Sequence, residues 1–134
     1  MNEFKKQYKH YTPPFLWAVI IFGLCTMSRN QFPDIDQWLK VVFDKLIHVL
    51  LYTIFSILLI VSFIKQNHSY KIKQYCVLLA ITISALYGIF IEFYQTYLVS
   101  SRSGDYQDII ANVSGSIIGL IGFYIVYGKP KNYI

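Results

Sequence analysis

The segment LIHVLLYTIFSILLIVSFI, residues 46–64, decides the fold class, because it carries no formal charge over 19 residues. A helix of this length rises roughly 28 Å, which is enough to cross the hydrocarbon core of a bilayer. Three further apolar segments, residues 12–28, 75–98 and 109–127, contain one formal charge among them, Glu92. The pattern therefore predicts an all-α protein, a bundle of four transmembrane helices.

Composition supports the same class. Of the 134 residues, 55% are hydrophobic and only 14% are charged, whereas soluble domains carry roughly a quarter of charged residues. A soluble four-helix bundle would need a charged outer face on each helix, which these segments lack. The basic leader before the first segment suits a secretion signal, but no small-x-small cleavage site follows it. We therefore expect a retained first helix and a single membrane domain over residues 1–134.

The distribution of basic residues predicts the orientation in the membrane. The two tails and the loop between the second and third helices share one side of the bundle. This side carries eight basic residues, Lys5, Lys6, Lys9, Lys65, Lys71, Lys73, Lys129 and Lys131. The opposite side carries four, Arg29, Lys40, Lys45 and Arg102. Because cytoplasmic loops collect Lys and Arg, we expect a multi-pass cell-membrane protein with both termini in the cytoplasm.

Unusual polar residues collect at the outer ends of the second, third and fourth helices. Asp44 and His48 are four residues apart, so they share a face of the second helix, and Lys45 lies beside them. Glu92 and Gln95 are three apart near the end of the third helix. These spacings predict one polar cluster at the outer face of the membrane.

The third loop and the fourth helix add Arg102, Asp108 and Asn112 to this cluster, with Asp108 and Asn112 on one helix face. Glu92 is the most informative member, because a carboxylate in a transmembrane segment needs a partner, a cavity or water. One interpretation is a hydrogen-bonded plug that ties helix ends together. The other is a ligand or catalytic site that opens to the outer leaflet.

Small residues on the fourth helix predict close helix packing. Gly115 and Gly119 form a small-xxx-small pattern, which allows two helix backbones to approach each other. We expect this face to pack against the second or third helix of the same chain.

The ordered polar residues resemble those of the VanZ-like family of small integral membrane proteins. The resemblance covers about Asp44 to Tyr127 and rests on these motifs in this order: Asp44-Lys45-x-x-His48, Glu92-x-x-Gln95, Arg102 and Asp108-x-x-x-Asn112-x-x-Gly115. It implies a protein of the cell envelope with a link to teicoplanin resistance, since the family's namesake lowers susceptibility to that lipoglycopeptide.

Two mechanisms remain open at this stage. In the first, a membrane binding protein recognises the anionic headgroup of a lipid or of a lipid-linked cell-wall intermediate, or a glycopeptide at the membrane surface. Arg102 and Lys45 would contact the anion, because cationic side chains bind phosphate strongly. In the second, an enzyme acts on a lipid-linked envelope substrate, with His48 or Glu92 as general acid or base.

Other classes of function have less support in the residues. No nucleophile motif, Gly-rich phosphate loop or standard zinc motif occurs, so we expect no cofactor. A metal held by His48, Glu92 and Asp108 would require these three side chains to converge. A transporter would need polar groups deeper in the membrane than the outer third. Nothing in the chain suggests a nucleic-acid partner; the basic tails are expected to contact lipid headgroups.

Overall fold

A computed structural model describes residues 8–26, 36–67, 69–98 and 105–129. These residues are helical, and no β-strand occurs among them. After a 3-10 turn at Lys9–Tyr11 come five helices: α1 (Thr12–Thr26), α2 (Gln37–Lys65), α3 (Tyr70–Gln74), α4 (Cys76–Leu98) and α5 (Tyr106–Tyr127). The all-α fold is therefore confirmed.

Three of the helices, α2, α4 and α5, are long and apolar enough to cross a membrane. α1 has 15 residues and is shorter than these three. It begins with Pro13 and Pro14, which are tolerated in a first turn because backbone N–H groups there have no helical partner. Large apolar side chains cover the outside of the helices, as on Leu86 and Ile125, and lipid is the solvent that suits such a surface.

α2 begins at Gln37, nine residues before the apolar segment at Leu46 that marks it in the sequence. The reason is that hydropathy reports which residues tolerate lipid, whereas a helix also accepts charged residues such as Lys40 and Asp44. Most of the connection that precedes α2 in the sequence, residues 27–35, lies outside the described residues.

α2 is the central helix of the bundle, since it packs against α1, α4 and α5, most extensively against α5. The side chains of Ile21, Tyr52, Ile60, Ala80 and Ile91 are fully buried and form the centre of the apolar core. This arrangement brings the start of α2, the end of α4 and the start of α5 to the same end of the bundle.

Helix ends at both sides of the bundle have defined caps. Asp105 caps α5, accepting a hydrogen bond from Gln107 N at 3.0 Å. At the other end, α5 stops at Gly128, whose φ of 76° favours glycine. The buried Gln66 closes the turn after α2 by bonding both Ser69 N and Ser69 O, at 2.9 and 2.7 Å.

Both cysteines, Cys25 and Cys76, are buried and not bonded to each other. Cys25 is in the last turn of α1, and Cys76 is the first residue of α4. They therefore lie toward opposite ends of the bundle and serve as small apolar core residues.

Candidate functional site

The polar residues singled out in the sequence lie at one end of the bundle, here called the cluster end. They come from the first turns of α2, the last turns of α4 and the first turns of α5: Asp44, Lys45, His48, Glu92, Gln95, Asp108 and Asn112. Arg102, the remaining sequence candidate, lies in residues 99–104, outside the described residues. Three helices thus supply one group of ionisable and amide side chains.

Lys45 joins α2 to the start of α5. Its Nζ donates a hydrogen bond to Asp105 Oδ2 at 2.9 Å and a second one to Asp108 Oδ1. The side chain of Asp108 is 4% exposed and that of Asp105 is 35% exposed. One ammonium group therefore bridges a buried carboxylate and a half-buried one, and the buried carboxylate has a charged partner.

Asp105 was not among the candidate site residues predicted from the sequence, but the structure places it in the cluster. It pairs with Lys45 of α2, caps α5 and donates its backbone N–H to Glu92 Oε2 of α4 at 3.3 Å. One residue thus contacts three helices. An Asp directly before a helix is a familiar capping signal, and it could have drawn attention to this position.

Glu92 lies in the bundle interior, and 4% of its surface is exposed. A carboxylate at this depth requires polar protein neighbours, so its position away from lipid is physically expected. Asp105 N supplies one such neighbour. His48 and Asn112 are buried at the same end of the bundle.

His48 and Asn112 form an enclosed polar pair. The distance between His48 Nδ1 and Asn112 Oδ1 is 2.8 Å, and each residue is 1% exposed. Gly88 on α4 makes room for this pair, because a Cβ atom there would lie 3.0 Å from Asn112 Nδ2. Gly88 was not predicted from the sequence either, since nothing in the local pattern reveals what packs against it.

Hydroxyl groups extend the polar interior below this pair. Ser116 donates to Asn112 O at 2.9 Å, its Oγ is 2.7 Å from Ser84 Oγ, and Ser56 donates to Ser116 O at 3.1 Å. These serines lie near the middle of their helices. Polar groups therefore do not stop in the outer third of the helices, because these hydroxyls also form interhelical hydrogen bonds.

Gln95 has a different role from its neighbours in the motif. Its Nε2 donates to Cys25 O at 2.5 Å, and the side chain is buried. It therefore fastens the end of α1 to α4 at the cluster end.

A metal-capable group occurs in this cluster among the residues described. One ligand atom from each of Asp44, His48 and Asp108 lies within 4.8 Å of the others. The set considered from the sequence contained Glu92 instead of Asp44. Carboxylate and imidazole ligands together can bind a divalent ion, orient an anion through that ion, or exchange protons.

Comparison with known proteins identifies the chain at the family level. No curated protein and no solved structure matches it. A family model described as VanZ/LLP1 matches residues 3–127, which includes α1 as well as the motif-bearing helices. This match covers nearly the whole sequence, and the protein belongs to the VanZ/LLP1 family.

Proposed function

We propose that this protein is a four-span envelope protein of the cell membrane whose cluster end faces outward and binds an anionic headgroup or a glycopeptide. The observation that carries the proposal is the burial of Glu92, His48 and Asp108 at one end of a bundle with apolar outer faces. Ionisable groups inside a membrane segment are costly and usually serve a function.

The packing of α1 supports a fourth span. Its 15 residues rise roughly 22 Å, and polar side chains contact the backbone near both of its ends. Ser62, near the end of α2, donates to His10 O at 2.6 Å, just before α1 begins. Gln95, near the end of α4, donates to Cys25 O. α1 therefore extends over much of the height of its neighbours, and four antiparallel spans would leave both termini on one side.

The charge distribution supports the orientation. Lys65, Lys71 and Lys73 lie at the end opposite the cluster, where both tails would also be. The excess of basic residues on this side favours the cytoplasm. The cluster end then faces outward, where envelope lipids and glycopeptides are accessible.

In the proposed mechanism, cationic side chains at the cluster end bind the ligand, and the acidic side chains orient these cations. Lys45 is already shared by Asp105 and Asp108, so it is positioned rather than mobile. Arg102 would supply a planar guanidinium that is able to make two parallel hydrogen bonds to a phosphate or carboxylate. The membership of the VanZ/LLP1 family makes lowered susceptibility to teicoplanin-type lipoglycopeptides the cellular effect we propose.

The test is growth inhibition by teicoplanin in cells that lack the gene and carry a plasmid copy. Wild-type protein should raise the inhibitory concentration, Arg102→Ala should lose this effect, and Arg102→Lys should keep only part of it, because the charge remains without the planar fork. Lys71→Ala, which removes a cation from the opposite end, is the matched control and should behave as wild type. Membrane levels of each variant are measured by immunoblot.

Full protection by a well-expressed Arg102→Ala variant would refute anion recognition at this position. If teicoplanin inhibits cells with and without the wild-type protein equally, the proposed effect on teicoplanin susceptibility is refuted. Binding of the purified protein to vesicles with anionic headgroups, compared with neutral vesicles, then tests headgroup recognition on its own.

A further inference from the structure

The group of Asp44, His48 and Asp108 combines ligand types that metal ions prefer. The ligand atoms lie within 4.8 Å of one another, His48 and Asp108 are buried, and Asp44 is half-buried. A divalent ion with ligand bonds near 2.0–2.2 Å spans separations of roughly 3–4 Å between its ligands. Modest side-chain rotation would therefore close the group around an ion.

The orientation of His48 gives an independent reason to expect a metal ligand. Asn112 Oδ1 is 2.8 Å from His48 Nδ1, and an amide oxygen can only accept, so Nδ1 carries the proton of the neutral ring. The other ring nitrogen then keeps its lone pair and has no hydrogen-bond partner among the residues that the structure describes. Metal-binding histidines are usually held in this way, with one ring N–H bound to an oxygen that fixes the tautomer.

Lys45 already supplies one positive charge next to the proposed metal ligands. Its ammonium group contacts Asp108 and Asp105 beside the three metal-capable side chains. A carboxylate has two oxygens, so Asp108 can bind Lys45 with Oδ1 and a second cation with Oδ2. The two cations repel each other, so each should weaken the binding of the other.

From this geometry we propose that Asp44, His48 and Asp108 bind a divalent transition-metal ion, with Zn²⁺ as the best match. Imidazole with carboxylates suits Zn²⁺ and, less strongly, Mn²⁺, whereas Mg²⁺ and Ca²⁺ prefer oxygen ligands alone. Three protein ligands leave a fourth position of a tetrahedral ion open to water or to an anionic oxygen. This inference extends the proposed function without resting on it, because metal binding is measured without any lipid or drug.

The experiment is equilibrium dialysis of the full chain in detergent, followed by metal analysis. The affinity tag is removed, and Cys25→Ser and Cys76→Ser are introduced to exclude thiol ligands. We expect saturable binding of one Zn²⁺ per chain, weaker binding of Mn²⁺ and no saturable binding of Mg²⁺ or Ca²⁺. Wild-type protein that binds no Zn²⁺ in a saturable way would overturn the proposal.

Variants locate the site. Asn112→Ala removes the hydrogen bond that orients His48, and the loss of such a partner typically weakens metal binding ~10–100-fold. Asp44→Asn and His48→Gln remove ligands themselves, so they should weaken Zn²⁺ binding by more than this range. Asp36→Asn is the matched control, since it removes an exposed acid at the cap of the same helix, and it should bind Zn²⁺ as the parent does. Unchanged binding by Asp44→Asn and His48→Gln would place the ion elsewhere and refute the proposal. If the buried His48 variant does not fold, the half-buried Asp44 variant decides.

Lys45→Met is a variant that should bind Zn²⁺ more tightly than the parent. Removing the competing ammonium should tighten Zn²⁺ binding about tenfold or more, since two nearby like charges repel strongly in a membrane protein interior. The variant should also melt at a lower temperature than the parent in metal-free buffer and regain stability when Zn²⁺ is added. If Lys45→Met neither binds Zn²⁺ more tightly nor regains stability when Zn²⁺ is added, the proposed repulsion between Lys45 and the bound ion is refuted.

Discussion

Lys45 binds two carboxylates that differ in their exposure to solvent. We expect this difference to set how much each ion pair contributes to the free energy of unfolding. The Asp105 side chain is 35% exposed and the Asp108 side chain is 4% exposed. Water screens the first pair, so its contribution is expected to be about 0–1 kcal/mol. In the second pair the carboxylate is buried, and weakening its bond to Lys45 leaves a buried polar group with fewer partners, which is more costly.

We therefore predict that Asp108→Asn lowers the free energy of unfolding by about 1.5–3 kcal/mol, the range for hydrogen bonds to charged groups. Asp105→Asn should lower it by no more than about 1 kcal/mol, and asparagine keeps the helix cap. Unfolding in mixed detergent and SDS micelles measures both. If both variants lower the free energy of unfolding equally, solvent exposure does not determine the contribution of each ion pair.

The sequence predicts site residues where helix periodicity alone brings them together. Asp44 with His48 and Asp108 with Asn112 are four residues apart, so their shared faces follow from helix geometry. Asp105 and Gly88 were not predicted, because their importance comes from contacts between helices. Asp105 contacts a cation on α2 and a carboxylate on α4, and Gly88 packs against an amide on α5. One sequence without these contacts cannot show which helix faces meet.

The α2–α5 interface depends on close backbone approach. A Cβ atom at Gly115 would collide with the backbone of Val49, and one at Gly119 would collide with Thr53 O and Ser56 Oγ. The same approach lets Thr53 Oγ1 donate to Gly115 O at 3.0 Å. The small residues and the interhelical hydrogen bonds are therefore parts of one interface, as membrane helices often combine them.

For this interface we predict different effects on stability for alanine at two glycines of α5. Gly119→Ala should lower the free energy of unfolding by about 1–3 kcal/mol, because the added methyl forces the backbones apart. Gly122→Ala is the matched control, since nothing lies within 4 Å of its added Cβ. Alanine favours the helix there by up to about 1 kcal/mol, so stability should stay constant or rise. A Gly119 variant as stable as the Gly122 variant would contradict the close approach.

The helices themselves were predictable to differing degrees. The C-terminal boundary of α5, at Tyr127, coincides with the end of its apolar segment. The start of α2 does not, because its first turns contain charged residues that form helix but avoid lipid. Apolar segments therefore locate the part of a helix that lipid accepts, and the polar extension of α2 carries Asp44 and Lys45 into the site.

For the whole molecule, the contacts of α1 bear on whether this helix forms a fourth span. Trp17 Nε1 donates to Leu51 O at 2.9 Å, and Tyr87 OH donates to Ala18 O at 2.7 Å. Together with the bonds to His10 O and Cys25 O, these fasten α1 along its length to α2 and α4. His10 O has no helical donor, because the residues three and four positions after it are prolines, so the bond from a side chain matters in lipid, where no water replaces a missing partner.

This packing predicts the accessibility of three exposed positions. Single cysteines at Tyr8, Asn67 and Gln107 are introduced into a Cys25→Ala, Cys76→Ala background, and intact cells are treated with an impermeant thiol reagent. Four spans with cytoplasmic termini should give labelling of position 107 alone, with positions 8 and 67 reacting only after permeabilisation. Labelling of position 67 but not 107 in intact cells would reverse the orientation. Labelling of both 8 and 107, but not 67, would instead mean that α1 does not cross, leaving the three spans that length and composition alone support.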